Sequence, residues 1–147
     1  MKTFSFNPIQ GLPLLAATLL MTSSVQAEPP VKVYILAGQS NMQGKGAVEG
    51  DGANSLRSLV KSDAKKFGYL VDDKGEWVEH KGVWAHYDLA PFREKRHGLM
   101  KPEFGSSSSQ IGPELGFGHM IADTTKGKVL IIKAAWGGKS LGHNFLP

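Results

Sequence analysis

The sequence predicts an α/β fold in which a doubly wound parallel sheet carries the functional residues. Two apolar runs, residues 31–37 and 128–135, have the composition of buried strands, and glycine follows each of them closely. A helical pattern separates the two runs, so both strands should end on the same edge of one sheet. Ligands of open α/β sheets bind outside the carboxyl ends of the strands. We therefore expect the functional site on that edge.

The first half of the chain predicts one strand, one irregular loop and one short helix. Residues 31–37 are apolar except for Lys32, which predicts a strand buried on both faces. Residues 43–54 contain four glycines and should form a loop over the end of that strand. A short helix is expected from residue 55 towards residue 66, because three apolar side chains have the spacing i, i+3, i+4: Leu56, Leu59 and Val60.

The middle of the chain has weaker signals. Residues 72–75 (DDKG) indicate a turn between two short apolar runs, 69–71 and 77–78. Loose alternation of apolar residues predicts a strand over 83–89. Residues 93–110 are polar and end in four serines, which predicts a long surface loop.

Residues 112–114 (GPE) indicate the start of a helix. Proline is favoured in the first helical turn, and an acidic residue is favoured near the positive end of the helix dipole. The apolar side of this helix should consist of Leu115, Phe117, Met120 and Ile121, and Gly127 should end it. Residues 128–135 then form the second buried strand, which leads into the glycine pair Gly137-Gly138.

The first 27 residues have the layout of a secretory signal peptide. Lys2 gives a positive start, residues 12–21 form a short apolar block, and residues 25–27 (VQA) fit a small-residue cleavage site. The block is shorter than the roughly 20 residues that a membrane span needs. We therefore predict a signal peptide over 1–27 and, over 28–147, the N-terminal part of one domain. That product should be secreted or periplasmic, with no membrane association after cleavage.

Charge and composition argue against several function classes. The net charge of +4 includes Lys2 of the leader, and the basic clusters at 65–66 and 93–96 are too sparse for a nucleic-acid groove. The chain has no cysteine, so disulfides, thiol nucleophiles and cysteine metal sites are excluded. Its acidic residues at 51, 72, 73 and 76 lack the spacing of metal ligands. We expect no metal, no cofactor and no nucleic-acid partner.

Three common glycine motifs also fail. Five residues separate Gly38 from Gly44-Lys45, where a phosphate-binding P-loop has four, and Gly46 follows in place of Ser or Thr. Residues 38–40 lack the second glycine of a dinucleotide-binding fingerprint. Met42 replaces the last glycine of the G-x-S-x-G elbow. These mismatches leave open a serine hydrolase of a different flat-sheet family.

Three blocks occur in order along the chain: 37–42 (AGQSNM), 111–118 (IGPELGFG) and 134–141 (AAWGGKSL). Together they resemble SGNH (GDSL-type) hydrolases, in the branch that contains sialate O-acetylesterases and acetylxylan esterases. The resemblance covers about residues 31–147. It implies a flavodoxin-like doubly wound sheet and an enzyme that removes O-acetyl groups from carbohydrate, so an acetylated carbohydrate would be the substrate.

The resemblance also implies roles for individual residues. Ser40 would be the nucleophile, and its backbone N–H would share the oxyanion hole with the N–H of Gly138 or, less favoured, of Gly137. Glycine suits this role because its amide is not obstructed by a side chain. On turn statistics alone the pair also fits a plain strand-to-loop turn. The candidates for substrate contact are Gln39, Asn41 and Trp136.

The sequence departs from the family pattern in the catalytic base. The family carries a Gln-Gly-Glu-like block and an Asp-x-x-His near its C-terminus, and neither occurs in the 147 residues. A serine hydroxyl needs a positioned base to act as a nucleophile. None of the five histidines lies in Asp-x-x-His: His80, His86, His97, His119 and His143. We therefore expect the front part of a longer esterase, incomplete at its C-terminus.

A fragment of this kind should be marginally stable and nearly inactive alone, because its sheet would have an unprotected edge. Two other functions stay open. The first alternative is a non-catalytic carbohydrate-binding remnant, and the second is part of a general lipase or thioesterase of the same superfamily. Binding without covalent labelling would favour the first alternative, and a preference for long acyl chains would favour the second.

Overall fold

The computed structural model describes residues 28–89 and 94–144, so the predicted signal peptide lies outside the described residues. The strands, in chain order, are β1 (Lys32–Gly38), β2 (Gly46–Ala47), β3 (His80–Leu89), β4 (Glu94–Met100), β5 (Gln110–Ile111) and β6 (Val129–Ala135). The helices are α1 (Ser40–Gln43), α2 (Leu56–Ser62), α3 (Ala64–Phe67), α4 (Pro113–Thr124) and α5 (Leu141–Asn144), with a 3₁₀ turn at Gly68–Leu70.

A four-stranded sheet forms the centre of the fold, in the order β1-β6-β3-β4. β1, β6 and β3 run parallel, whereas β4 runs antiparallel to β3. β2 and β5 pair separately in a short antiparallel ribbon. The α/β class with parallel strands at its centre is confirmed, and the sheet is mixed because of β4.

Local signals explain where the helices begin. The Ser55 hydroxyl accepts a hydrogen bond from the Ser58 N–H at 3.1 Å and caps α2. Pro113 stands in the first turn of α4, where its missing N–H is not needed. Among the described residues, no helix is long and apolar enough to cross a bilayer.

The hydrophobic core lies on one face of the sheet. Alternate residues of β3 and β6 point to this face, and α2, the 3₁₀ turn and α4 contribute the rest. Seven core residues in the described ranges are at most 1 % exposed: Val83, Tyr87, Met100, Phe104, Val129, Ile131 and Ala135. Alternation with a period of two is therefore the rule in these strands, as expected for a sheet packed on one side.

The opposite face of the sheet is open within the described residues. Val33, Ile35 and Trp84 are 52 %, 69 % and 48 % exposed. The prediction that residues 31–37 are buried on both faces is therefore wrong for the described structure. The apolar run reflects one packed face, which includes Tyr34 and Leu36, and one face that no described element covers.

Two further predictions need correction. Residues 93–110 were expected to form a loop, but β4 occupies Glu94–Met100 and pairs with β3 in a hairpin. Pairing with a strand that is already in the core outweighs the polar composition of this segment, and Met100 is fully buried. In α4, Met120 is 72 % exposed because Leu115, Gly118 and His119 occupy the buried face at i, i+3, i+4.

Candidate active site

β1 and β6 end side by side, as predicted. Gly38 lies opposite Ala135 in the parallel register, and the Trp136 N–H donates a hydrogen bond to the Gly38 carbonyl at 3.1 Å. The chain segments that leave the two strands therefore start from neighbouring points. This places Ser40 and the glycine pair on one edge of the sheet.

Ser40 begins the one-turn helix α1 and is half-buried. The Gly44 N–H donates to the Ser40 carbonyl at 3.0 Å, and the Gln43 N–H donates to the Gln39 carbonyl at 2.7 Å. Gly38 leaves room for this tight turn, because an added Cβ would lie 2.8 Å from Met42 Cβ. The turn therefore projects Ser40 directly from the end of β1.

Gly137 lies directly against α1. An added Cβ at Gly137 would lie 2.7 Å from Gln43 Oε1 and 4.0 Å from Ser40 Cβ. At Gly138 the backbone has a φ of +71°, and an added Cβ would have no neighbour within 4 Å. The structure thus brings Ser40 next to the glycine pair. By the distance from an added Cβ to Ser40 Cβ, Gly137 is nearer to Ser40 than Gly138 is.

The predicted substrate-contact residues surround this point. Gln39 and Asn41 flank Ser40 in sequence and are exposed. Trp136 is half-buried and stands between the end of β6 and the glycine pair. All three therefore lie within two residues of Ser40 or the glycine pair along the chain.

Gln43 is a site residue that the sequence analysis missed. It is 7 % exposed, and its side chain contacts both Gly137 and the hydroxyl of Tyr87. The Tyr87 hydroxyl donates to the Ala135 carbonyl at 3.0 Å, at the end of β6. Burial raises the pKa of Tyr87 to about 12, against a smaller lowering by Gln43. Tyr87 is therefore a neutral hydrogen-bond donor that ties β3 to the end of β6.

A buried ion pair below the site was also missed. Lys133 Nζ lies 2.6 Å from Glu114 Oε2, and both side chains are 1 % exposed. Burial lowers the pKa of Lys133, and the charge of Glu114 opposes that shift. In the sequence, the indication of this pair was Lys133 inside the apolar run 128–135. In the structure, Lys133 faces the same side of the sheet as Ile131.

The described histidines do not reach Ser40: within 28–89 and 94–144, none forms a hydrogen bond with its hydroxyl. His86 pairs with His97 across β3 and β4, and His143 is exposed in α5. His119 packs edge-on against Tyr69 and His80, with ring centroids 4.9 Å apart in both cases. The described structure therefore assembles the serine and the glycines without a base.

One cavity among the described residues lies away from this edge. It has a volume of about 560 Å³ and sits between α4 and the segment before β3. Its lining combines two imidazoles, an exposed tyrosine and an acid: His80, His119, Tyr69 and Asp123. None of its lining residues belongs to the edge that carries Ser40. No cluster of three or more potential metal ligands occurs in the described ranges.

A family model described as "Carbohydrate esterase, sialic acid-specific acetylesterase" matches residues 30–147. The chain belongs to this family. The match includes all three blocks that carried the SGNH resemblance, so the recognition made from the sequence is confirmed. It supports, at the level of the family, an esterase that acts on acetylated carbohydrate.

Other comparisons are more distant. A crystal structure of a protein from Arabidopsis thaliana is 17 % identical, with a TM-score of 0.40. That alignment covers 78 % of this chain and 44 % of the plant protein, so this member of the acetylesterase family spans less than half of that relative's length. A search of curated proteins found no match.

Proposed function

We propose that the chain contributes the nucleophile and oxyanion donors of a carbohydrate O-acetylesterase. The observation that carries this proposal is the approach of Ser40 to Gly137 at the joint end of β1 and β6, where an added Cβ would lie 4.0 Å from Ser40 Cβ. Family membership supports acetylated carbohydrate as the substrate class.

The proposed reaction proceeds through a covalent acetyl-enzyme. The Ser40 oxygen attacks the acetyl carbonyl carbon, and its proton passes to a base. The carbonyl oxygen becomes negative and is held by the backbone N–H groups of Ser40 and of Gly138 or Gly137. Collapse expels the sugar oxygen, which takes up a proton, and water then releases acetate from Ser40.

The described residues account for part of this machinery. Losing one oxyanion donor typically raises the barrier by about 3 kcal/mol, so correctly placed glycine amides are worth a large factor in rate. The base is a histidine oriented by an aspartate, and the family's Asp-x-x-His spacing does not occur in the printed sequence. We therefore expect the 147-residue chain alone to turn over substrate very slowly.

Chemical rescue gives a direct test with the chain as it exists. Imidazole added to the buffer supplies a general base, so Ser40-dependent hydrolysis of 4-nitrophenyl acetate should rise with imidazole concentration. Ser40→Ala should remove that increment and leave only the reaction of imidazole in solution. Ser108→Ala, at an exposed loop serine, is the matched control and should retain it. Equal rates for the wild-type and Ser40→Ala proteins would refute the nucleophile assignment.

The cavity beside α4 favours a second candidate, a carbohydrate-binding role without catalysis. An exposed tyrosine next to polar imidazole and carboxylate groups is a surface on which a sugar ring can stack and form hydrogen bonds. In that case an O-acetylated sugar should bind, Tyr69→Ala should weaken binding, and a fluorophosphonate should not label Ser40. Labelling together with faster cleavage of long acyl esters than of acetyl esters would instead indicate the lipase or thioesterase alternative.

We also propose that the chain is exported and that residues 28–147 are the N-terminal part of an SGNH hydrolase domain. The leader-like sequence of residues 1–27 supports export. Expression in a bacterium, followed by N-terminal sequencing of the periplasmic product, should give Glu28 as the first residue. An intact Met1 in the cytoplasm would contradict this proposal.

A further inference from the structure

Lys133 lies at a buried junction of four chain segments. Its ammonium group donates three hydrogen bonds: to the Gln43 carbonyl at 2.8 Å, to the Phe104 carbonyl at 2.7 Å, and to Glu114 Oε2 at 2.6 Å. A lysine ammonium has three protons to donate, so every donor is used. The fourth segment is β6, which carries Lys133 itself.

The partners of Lys133 surround the turn that carries Ser40. Gln43 is the last residue of α1, the helix that Ser40 begins. The other oxygen of Glu114 accepts the Gly112 N–H at 2.7 Å, and Gly112 packs against Gly44 so closely that an added Cβ at Gly44 would lie 2.2 Å from its Cα. These contacts therefore hold the Ser40 turn at Gln43, which Lys133 bonds, and at Gly44, which Gly112 contacts.

The segment after Phe104 completes the enclosure. The Ser106 N–H donates to the Gly44 carbonyl at 2.7 Å, two residues after the carbonyl that Lys133 binds. Lys133 therefore bonds directly to α1 and to Phe104, and Ser106, two residues after Phe104, bonds to Gly44. Removing its charge would loosen both contacts at once.

Lys133 also stands on the strand that ends in the glycine pair. It lies two residues before Ala135, at which β6 ends, and Gly137 follows two residues later. We propose that Lys133 and Glu114 form a positioning pair that holds the Ser40 turn in register with the glycine pair. The backbone of β6 fixes the position of Gly137, and the Lys133 ammonium on the same strand fixes the position of α1. The consequence for catalysis rests on the proposed function, whereas the positioning itself does not.

The choice of an ion pair fits a positioning role better than a stabilising one. Buried ion pairs contribute little net stability, because desolvation offsets the attraction between the charges. Apolar side chains of similar volume could fill the same space, but they would leave the carbonyls of Gln43 and Phe104 and the amide of Gly112 without these partners. The pair thus directs backbone groups that apolar packing would leave unrestrained.

The decisive variant is the double substitution Lys133→Met with Glu114→Leu, which removes both charges and leaves neither one buried alone. Lys128→Met is the matched control, because Lys128 is exposed just before β6 and its ammonium pairs with the exposed Glu28 at 3.2 Å. Two quantities are measured on folded protein: hydrogen exchange at the Gly44 amide, which donates to the Ser40 carbonyl, and the rate at which a fluorophosphonate labels Ser40 with imidazole present as the base.

We expect exchange at Gly44 to accelerate by at least about tenfold in the double variant, while amides of β3 and β6 stay protected. The maximal labelling rate should fall on the order of 10²-fold, as for a small displacement of a reacting group, with the probe concentration at half-saturation unchanged. A purely structural role would lower the amount of labelled protein and leave the rate of its folded fraction unaltered. Lys128→Met should match the wild type in both measurements.

The outcomes separate this inference from the proposed function. Unchanged exchange at Gly44 in the double variant would overturn the positioning pair, whatever the labelling shows. Faster exchange, with no labelling of the wild type even when imidazole is present as the base, would support the pair and refute Ser40 as nucleophile. If the double variant does not fold, Glu114→Gln replaces it, since it keeps the side-chain shape but its single oxygen can accept from Lys133 or from Gly112 and not from both. The same two measurements then decide.

Discussion

Glycines near the Ser40 turn are not equivalent, because their surroundings differ. Gly44 has a φ of +83°, and an added Cβ would lie 2.2 Å from Gly112 Cα. Gly52, in the following loop, has no atom within 4 Å of an added Cβ. The first glycine is therefore required by both backbone conformation and contact, and the second by neither.

Gly44→Ala should consequently lower the free energy of unfolding by about 3 kcal/mol or more, since it combines left-handed strain with overpacking. Gly52→Ala should change it by less than about 0.5 kcal/mol. Urea denaturation followed by tryptophan fluorescence measures both. A Gly44→Ala protein as stable as the wild type would show that α1 and the start of α4 do not meet as described.

Residues of the site differ in how far the sequence could reveal them. Ser40 and the glycine pair follow directly after apolar strands, so local pattern alone predicted where they would lie. Lys133 and Glu114 gave no such signal, since a lysine in an apolar run and an acid at a helix start have ordinary explanations. Their role depends on carbonyls of residues 43 and 104, which only the folded chain brings within 3 Å.

At the scale of elements, strong local chemistry predicted α4 and β6 well. Pro113 marked the first turn of α4, and the apolar run gave β6 to within one residue. β4 was missed because its sequence, EKRHGLM, has few apolar residues, and its pairing with β3 is a tertiary effect. The buried face of α4 was misjudged because His119, rather than Met120, turns towards the core.

The position of His119 in α4 predicts that the stability of the fold depends on pH. Burial lowers the pKa of His119, the neighbouring His80 lowers it further, and Asp123 opposes the shift. A histidine with a folded-state pKa below its unfolded value of about 6.5 favours folding above that pH. That contribution is lost as the pH falls through the folded-state pKa, because the unfolded chain then binds the proton more readily.

His119→Phe keeps an aromatic ring between Tyr69 and His80 but cannot take up a proton. Its melting temperature should therefore fall less between pH 8 and pH 5 than that of the wild type. His143→Gln, at an exposed histidine of α5, should behave as the wild type does. Differential scanning fluorimetry at the two pH values tests this, and identical falls in all three proteins would exclude His119 as the titrating group.

At the scale of the molecule, the main feature of the described residues is a sheet with one packed and one open face. β1 is one of the two edge strands in the order β1-β6-β3-β4, and its open face carries Val33 and Ile35. Unpaired edges and exposed apolar side chains promote association between chains. The sequence predicts an unprotected edge at the strand of residues 128–135 or at its neighbour; in the described sheet β6 lies between β1 and β3, and β1 is at the edge. The apolar run alone did not reveal which face would be open.

Two isoleucines on adjacent strands measure this asymmetry. Ile131 on β6 is fully buried, whereas Ile35 on β1 is 69 % exposed on the other face. Ile131→Ala should lower the free energy of unfolding by about 2–5 kcal/mol through lost burial and a residual cavity. Ile35→Ala should change it by less than about 0.5 kcal/mol and should reduce light scattering on heating, because it removes apolar surface from the open face. Comparable losses of stability in urea would contradict the open face, since only a side chain buried in the folded state can lose that much on truncation.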